Sequence, residues 1–181
     1  MSRPPRARES VLDAFETILI DDGERAATMD ATARAAGVSK GGLLYHFASK
    51  EALEAGLVER LIALAELDVE EMVHSPDGAV DAFLRTSIST GGPLDRCIVA
   101  VARLAQNGNG AASAALRRIR ELWEDAVRAE ARDETALQMI MLVSDGLYFN
   151  HALGDTTVPG PMPEGEALDA LIALVRSATR G

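Results

Sequence analysis

The sequence predicts an all-α protein of about nine helices, and three observations carry that expectation. Apolar residues recur at three- and four-residue spacing along most of the chain, with no convincing two-residue alternation between these runs. The runs are separated by glycine and proline punctuation such as TGGP, NGNG and VPGPMP. Hydrophobic residues make up 48% of the 181 and aromatics only 4%, so the core must be built mostly from Ala, Leu, Val, Ile and Met. This length and composition support one compact domain, or two small ones on a continuous core, and exclude a disordered chain.

The first helix is read from residues 8–22, where Val11, Phe15, Ile18 and Leu19 share a face and Asp21-Asp22-Gly23 ends the pattern. Thr28 stands as an N-cap before MDATARAA and Gly37 as the C-terminal stop, giving a helix of about two and a half turns. After the turn Gly37-Val38-Ser39, a second short helix is expected from Lys40 to Phe47. Ser49 caps the next start, with Glu51 in the first turn where the helix dipole favours an acid, and that helix runs for more than twenty residues, through Val73. Further helices are expected near residues 77–88, 94–106, 111–131, 133–153 and 164–178.

The net charge of −10 argues against a general polyanion binder, but its distribution is uneven. Residues 1–50 carry seven basic and seven acidic side chains; residues 51–181 carry eleven basic against twenty-one acidic and supply the whole deficit. Both lysines, Lys40 and Lys50, lie in the balanced part, the only part electrostatically tolerant of DNA. The lone Cys97 excludes an intramolecular disulfide and a multi-cysteine metal site, and a reducing compartment is its simplest home. The basic start MSRPPRAR is followed by no apolar leader, and no run approaches the ~18 apolar residues of a membrane span. A cytoplasmic protein that does not engage a membrane is expected.

Gly37-Val38-Ser39-Lys40-Gly41 fits the G-x-S-x-G pattern of a hydrolase nucleophile elbow, which requires a strand before the serine and a helix after it. The alanine-rich MDATARAA before Ser39 has no strand character, and His46 lies on the same short helix as the serine it would have to activate. Ser39 is therefore expected to be a turn and cap residue. Two short helices joined by a glycine-containing turn, the second opening on small and basic residues, form a helix-turn-helix pattern. Val38, Leu43 and Phe47 can pack inward against Phe15 and Ile18, leaving Lys40, Gly41, Leu44 and Tyr45 outward. On these residues alone, a tight corner of an ordinary all-α protein is the alternative.

From Thr28 to Leu53 the sequence TMDATARAAGVSKGGLLYHFASKEAL resembles the DNA-binding signature of the TetR family of bacterial transcriptional regulators. The resemblance implies a helix-turn-helix DNA-binding domain over residues 1–52 and a helical effector-binding and dimerisation domain over residues 53–181. It implies phosphate contacts from Thr28, His46 and Lys50, an approach to bases or phosphates by Lys40, Gly41 and Gly42, and Tyr45 facing backbone or base edges. Ser39 and Leu44 complete the DNA-facing set. Leu44 departs from a Tyr usual in the family, so a phosphate contact is lost or passes to Tyr45; Thr32 stands where an aliphatic residue is common. Arg3, Arg6 and Arg8 form a basic arm that reaches DNA or is a tail.

The resemblance further implies a homodimer formed by the last two helices, binding a near-palindromic double-stranded operator with the recognition helices about 34 Å apart. The expected dimer stripe is Leu137, Ile140, Met141, Ser144 and Tyr148 on one helix with Leu168, Leu171, Ile172 and Val175 on the next; a protomer core is the alternative. A small-molecule effector is expected to favour the conformer that fits DNA poorly. Its candidate lining is Phe83, Cys97, Val101, Leu104, Trp123, Met139, Val143 and Phe149, with Asp145 a carboxylate for a cationic effector or a partner for an arginine. A ligand-released repressor is the leading expectation and a regulator switched by a protein partner the alternative. With no metal-ligand spacing, phosphate loop or supported triad, no enzyme, cofactor or metal is expected.

Overall fold

Local signals set the helix ends. Gly78 at φ +96° and Gly37 at φ +66° adopt the left-handed backbone that stops one segment before the next begins. The computed structural model describes residues 4–153 and 160–180, with side chains from residue 7 onward except that of residue 153. Nine helices and no strand occur among the described residues: α1 Pro4–Asp21, α2 Met29–Ala35, α3 Lys40–His46, α4 Lys50–Val73, α5 Ala79–Thr86, α6 Pro93–Gln106, α7 Gly110–Arg128, α8 Glu134–Leu153 and α9 Gly165–Thr179. The all-α expectation and its element order hold. No helix among the described residues is long and apolar enough to cross a membrane.

The chain divides into two units, Met1–Leu64 with Pro93–Arg118, and Ala65–Gly92 with Ile119–Gly181. The first unit takes in more than the expected DNA-binding segment ending at residue 52, because α1 packs on α6 as well as on α2 and α3. Its core is the stripe of α1 read from the sequence, Val11, Leu12, Phe15, Ile18 and Leu19, closed by Leu43, Phe47, Leu53 and Leu57. Gly56 lets the Phe47 ring lie against α4: a Cβ there would stand 2.7 Å from Phe47 Cε1. Thr32, polar at an expected aliphatic position, is fully buried and satisfied, its hydroxyl donating to the Thr28 carbonyl at 2.9 Å.

An ion cluster ties α1 to α4 and α6 within this unit. Buried Glu16 accepts from Arg96 Nε at 3.0 Å and lies 3.6 Å from Arg60. Arg60 also donates to Asp13 at 2.7 Å and to Glu9 at 2.6 Å. Burial raises the Glu16 carboxyl above its ordinary range, against the opposing pull of Arg96 and Arg60.

In the second unit α5, α8 and α9 pack on one another around Val80, Phe83, Leu84, Ile140 and Ile172. Gly78 has no side chain to cap α5, and Glu130 does so instead, accepting from the Ala79 N–H at 2.6 Å. Buried Asp81 receives Arg85 from its own helix at 2.6 Å and Arg176 of α9 at 3.4 Å.

The expected dimer stripe turns out to be the interior of this unit. Leu137, Ile140, Met141, Leu168, Ile172 and Val175 are core, Leu171 packs against them and Tyr148 is half-buried. Ser144 is buried with its hydroxyl 2.7 Å from that of Ser87, which donates onward to the Phe83 carbonyl. The faces left outward carry Met139, Leu142 at 68% exposure and Phe149 at 49% on α8, and Leu174 at 63% on α9. Helix α8 is apolar on every side, so its periodicity could not say which side the short amphipathic α5 and the last helix would cover.

Candidate nucleic-acid interface

The corner between α2 and α3 is built by paired caps. Thr28 Oγ1 accepts from the Ala31 N–H at 3.2 Å and opens α2. At the other end Gly37 N–H donates to Arg34 O at 3.2 Å and Val38 N–H to Ala33 O at 3.0 Å, the reciprocal pair of a Schellman stop. Ser39 Oγ then accepts from the Gly42 N–H at 3.1 Å and starts α3. Ser39 is thus the cap that its sequence context predicts, following a helix and not a strand.

One face of α3 is anchored by Leu43 and, just past its end, Phe47, both buried. The opposite face presents Tyr45 at 83% exposure and Leu44 at 43%. A Cβ on Gly41 would meet open space, and one on Gly42 would stand 3.3 Å from its own cap, Ser39 Oγ, with Val38 beyond it. His46 is half-buried, its ring edge-on to Tyr45 at 5.1 Å. Lys40 is exposed and ion-paired with Asp30 at 2.9 Å.

Lys50 is partnered within its own unit. Its Nζ donates to the Glu24 carbonyl at 3.2 Å and is also paired with the Glu24 carboxylate, which ties the loop before α2 to the start of α4. Of the basic arm, Arg3 and the Arg6 side chain lie outside the described residues. The Arg8 guanidinium sits 5.2 Å from the Phe47 ring centroid and pairs with Glu9 and Glu59. The acidic partners Asp30 and Glu24 were missed in the sequence because each belongs to another segment, with no local spacing to reveal it.

The candidate effector residues are divided between the two units. Cys97, Val101 and Leu104 are buried core of the first unit. Desolvation pushes the Cys97 thiol up to about 12, and the thiol faces the Leu57 carbonyl, so it is an inert packing group. Met139 and Phe149 are on the outward face of α8, with Val143 packed against the core of the second unit. Asp145 is exposed and bound by both terminal nitrogens of Arg120, at 2.9 and 3.0 Å, the arginine partnership that is one of the two roles its sequence context offers.

Phe83 and Trp123 do meet, with ring centroids 6.0 Å apart. Trp123 Nε1 donates to the carboxylate of half-buried Asp68 at 2.8 Å. Burial raises the Asp68 carboxyl and the nearby Glu71 adds to it, while the Trp123 hydrogen bond opposes both. No local pattern points to this group, since its partner lies far along the chain. A raised carboxyl holds its proton more tightly folded than unfolded, so its stabilising share is complete below the ordinary carboxylate range and is lost as pH rises through the raised value. Asp68→Asn is therefore expected to unfold at a higher temperature than the parent near pH ~7, the gap closing near pH ~4. Thermal unfolding at the two pH values checks this; a constant gap would mean Asp68 titrates normally. Among the described residues, no group of three His, Cys, Asp or Glu side chains is placed to hold a metal ion.

The sequence profile of "Bacterial regulatory proteins, tetR family" matches residues 11–55, which span most of α1, the caps, α2, α3 and the start of α4. No curated protein sequence matches the chain. Among solved structures, Salmonella enterica GusR superposes with a TM-score of 0.70 at 15% identity, over 99% of this chain and 98% of its own. The ketosteroid transcriptional regulator KstR2 of Mycobacterium tuberculosis gives 0.63 at 17%, over 99% and 97%. A TetR-family transcriptional regulator from Rhodococcus sp. gives 0.65 at 22%, over 96% and 98%. Residues 11–55 therefore match the model of the bacterial regulatory proteins of the tetR family, and the chain as a whole shares the all-helical fold of these structures.

Proposed function

We propose that the chain is a cytoplasmic, homodimeric repressor that binds a near-palindromic operator and is released by a small-molecule effector. The observation that carries the DNA-binding part is the double-capped α2–α3 corner, which holds Lys40, Gly41, Leu44 and Tyr45 outward on a rigid base. It lies in the charge-balanced first fifty residues of an otherwise acidic chain. Dimerisation uses the outward apolar face of α8 and α9, with Leu142, Phe149 and Leu174, in place of the buried stripe. Gly146 on that face opens onto empty space, so a facing helix can approach its backbone closely.

For release, a binding protein named EbrR, described as multidrug-binding and complexed with imidazole, and the ketosteroid regulator KstR2 share this fold. In this chain the second unit offers Phe83, Trp123 and the Asp68 carboxylate, which no ion pair engages among the described residues. That set suits a flat effector carrying a cationic or hydrogen-donating group, a role the paired Asp145 is poorly free to fill.

Footprinting of the purified protein on the DNA flanking its own gene, at stated salt and with a panel of aromatic cations, tests the proposal. A protected near-palindrome released by one compound is the expected result. Lys40→Ala is expected to weaken operator binding about three- to ten-fold with the dimer intact, and unchanged affinity at matched salt would count against α3 as the recognition helix.

A further inference from the structure

On α3, whose sequence is KGGLLYH, hydrogen-bonding readout of bases is sparse. The helix carries no Arg, Asn or Gln, the side chains that grip guanine or adenine with two hydrogen bonds. Its single lysine is held by Asp30 at 2.9 Å. What it presents instead is apolar. Leu44 is 43% exposed although Leu43 beside it is fully buried, so the exposure belongs to one defined face of an anchored helix. Helical side chains lean toward the N-terminus, so Leu44 and Tyr45, three and four residues after Gly41, lean over its turn. Gly41 faces open space and adds no side chain of its own. The tip of the helix is therefore bare backbone flanked by an isobutyl group and a phenol ring.

In the major groove, the apolar feature of a base-pair edge is the C5-methyl group of thymine. We infer that Leu44 is a specificity-determining residue that reads thymine through this methyl, and that the bare Gly41 turn permits the close approach the contact needs. The inference rests on the DNA-binding reading above and deepens it: the operator half-site carries a thymine under Leu44, recognised by burial of a methyl and not by a hydrogen bond. Burying one methyl against an aliphatic side chain corresponds to about three- to five-fold in affinity.

The test replaces each thymine of the footprinted operator in turn by deoxyuridine, which removes the C5-methyl and leaves every hydrogen-bonding group in place. Wild-type protein is expected to lose about three- to five-fold at one or two positions per half-site. Leu44→Ala, at an exposed position that leaves the fold intact, is expected to bind the thymine and deoxyuridine operators equally, whereas Leu44→Met keeps the discrimination. Two results would overturn the inference while leaving DNA binding standing: an operator indifferent to deoxyuridine throughout, or a penalty that persists unchanged in Leu44→Ala. Failure of the wild-type protein to protect any DNA, across a genome-wide binding selection, would overturn the DNA-binding reading and this one with it.

Discussion

Leu142→Arg is expected to leave a folded monomer whose operator affinity is lower by about 100-fold or more. Leu142 is the most exposed large apolar side chain of α8. It lies one helical turn from Met139 and two from Phe149, on the face that the core of its own unit leaves uncovered. A charge at such a position changes protomer stability by roughly 0.5 kcal/mol or less. In a two-fold interface the same charge meets itself or its neighbours twice, desolvated and without an opposite partner. Two heads linked in one dimer engage two half-sites with an affinity that neither reaches alone, and a monomer forfeits that advantage. Sedimentation velocity read beside the footprint separates the outcomes. A dimer that survives Leu142→Arg would show that another surface joins the protomers. Ile140→Ala, in the stripe first expected to form the interface, should instead cost the protomer about 2–5 kcal/mol of stability.

Phe15→Ala is expected to destabilise the first unit by about 3–5 kcal/mol, a large share of the roughly 5–15 kcal/mol that holds a typical domain folded. Phe15 is fully buried at the centre of the α1 stripe, between Leu12 and Leu19, on the helix against which α2, α3 and α6 pack. The two short helices have seven residues each, too few to persist without that support. Operator binding should therefore fall with stability, and adding a stabilising osmolyte should recover part of it. Urea unfolding followed by circular dichroism measures the loss, and a change below about 1 kcal/mol would mean that the stripe of α1 does not form this core.

These two positions show what was legible beforehand and what was not. Phe15 could be read because α1 is apolar on one side only, so the spacing of Val11, Phe15, Ile18 and Leu19 names both the helix and its inward face. The same holds for the caps, since Thr28, Gly37 and Ser39 act on backbone groups three or four residues away. Leu142 could not be read, because α8 offers an apolar residue in every direction and the choice of buried side is made by α5 and α9. Asp68, Asp145 and Lys50 failed to declare themselves for a related reason. Each is defined by a partner at least twenty-five residues distant in sequence, Trp123, Arg120 and Glu24, and no local pattern encodes such a meeting.

The family signature occupies residues 11–55, yet the unit that contains it is closed by α6, which begins at Pro93. A fragment cut after Leu64 would keep every residue proposed to face DNA and lose Arg96 from beside Glu16, together with the buried Cys97, Ala100, Val101 and Leu104. During synthesis, the signature is therefore complete in sequence well before the unit that holds it is complete in space, and that unit waits for chain that has first contributed α5 to the other unit. A chimera that grafts the helix-turn-helix segment onto another protein of this fold must carry residues 93–118 along with it, or set a foreign α6 against a carboxylate shaped for Arg96.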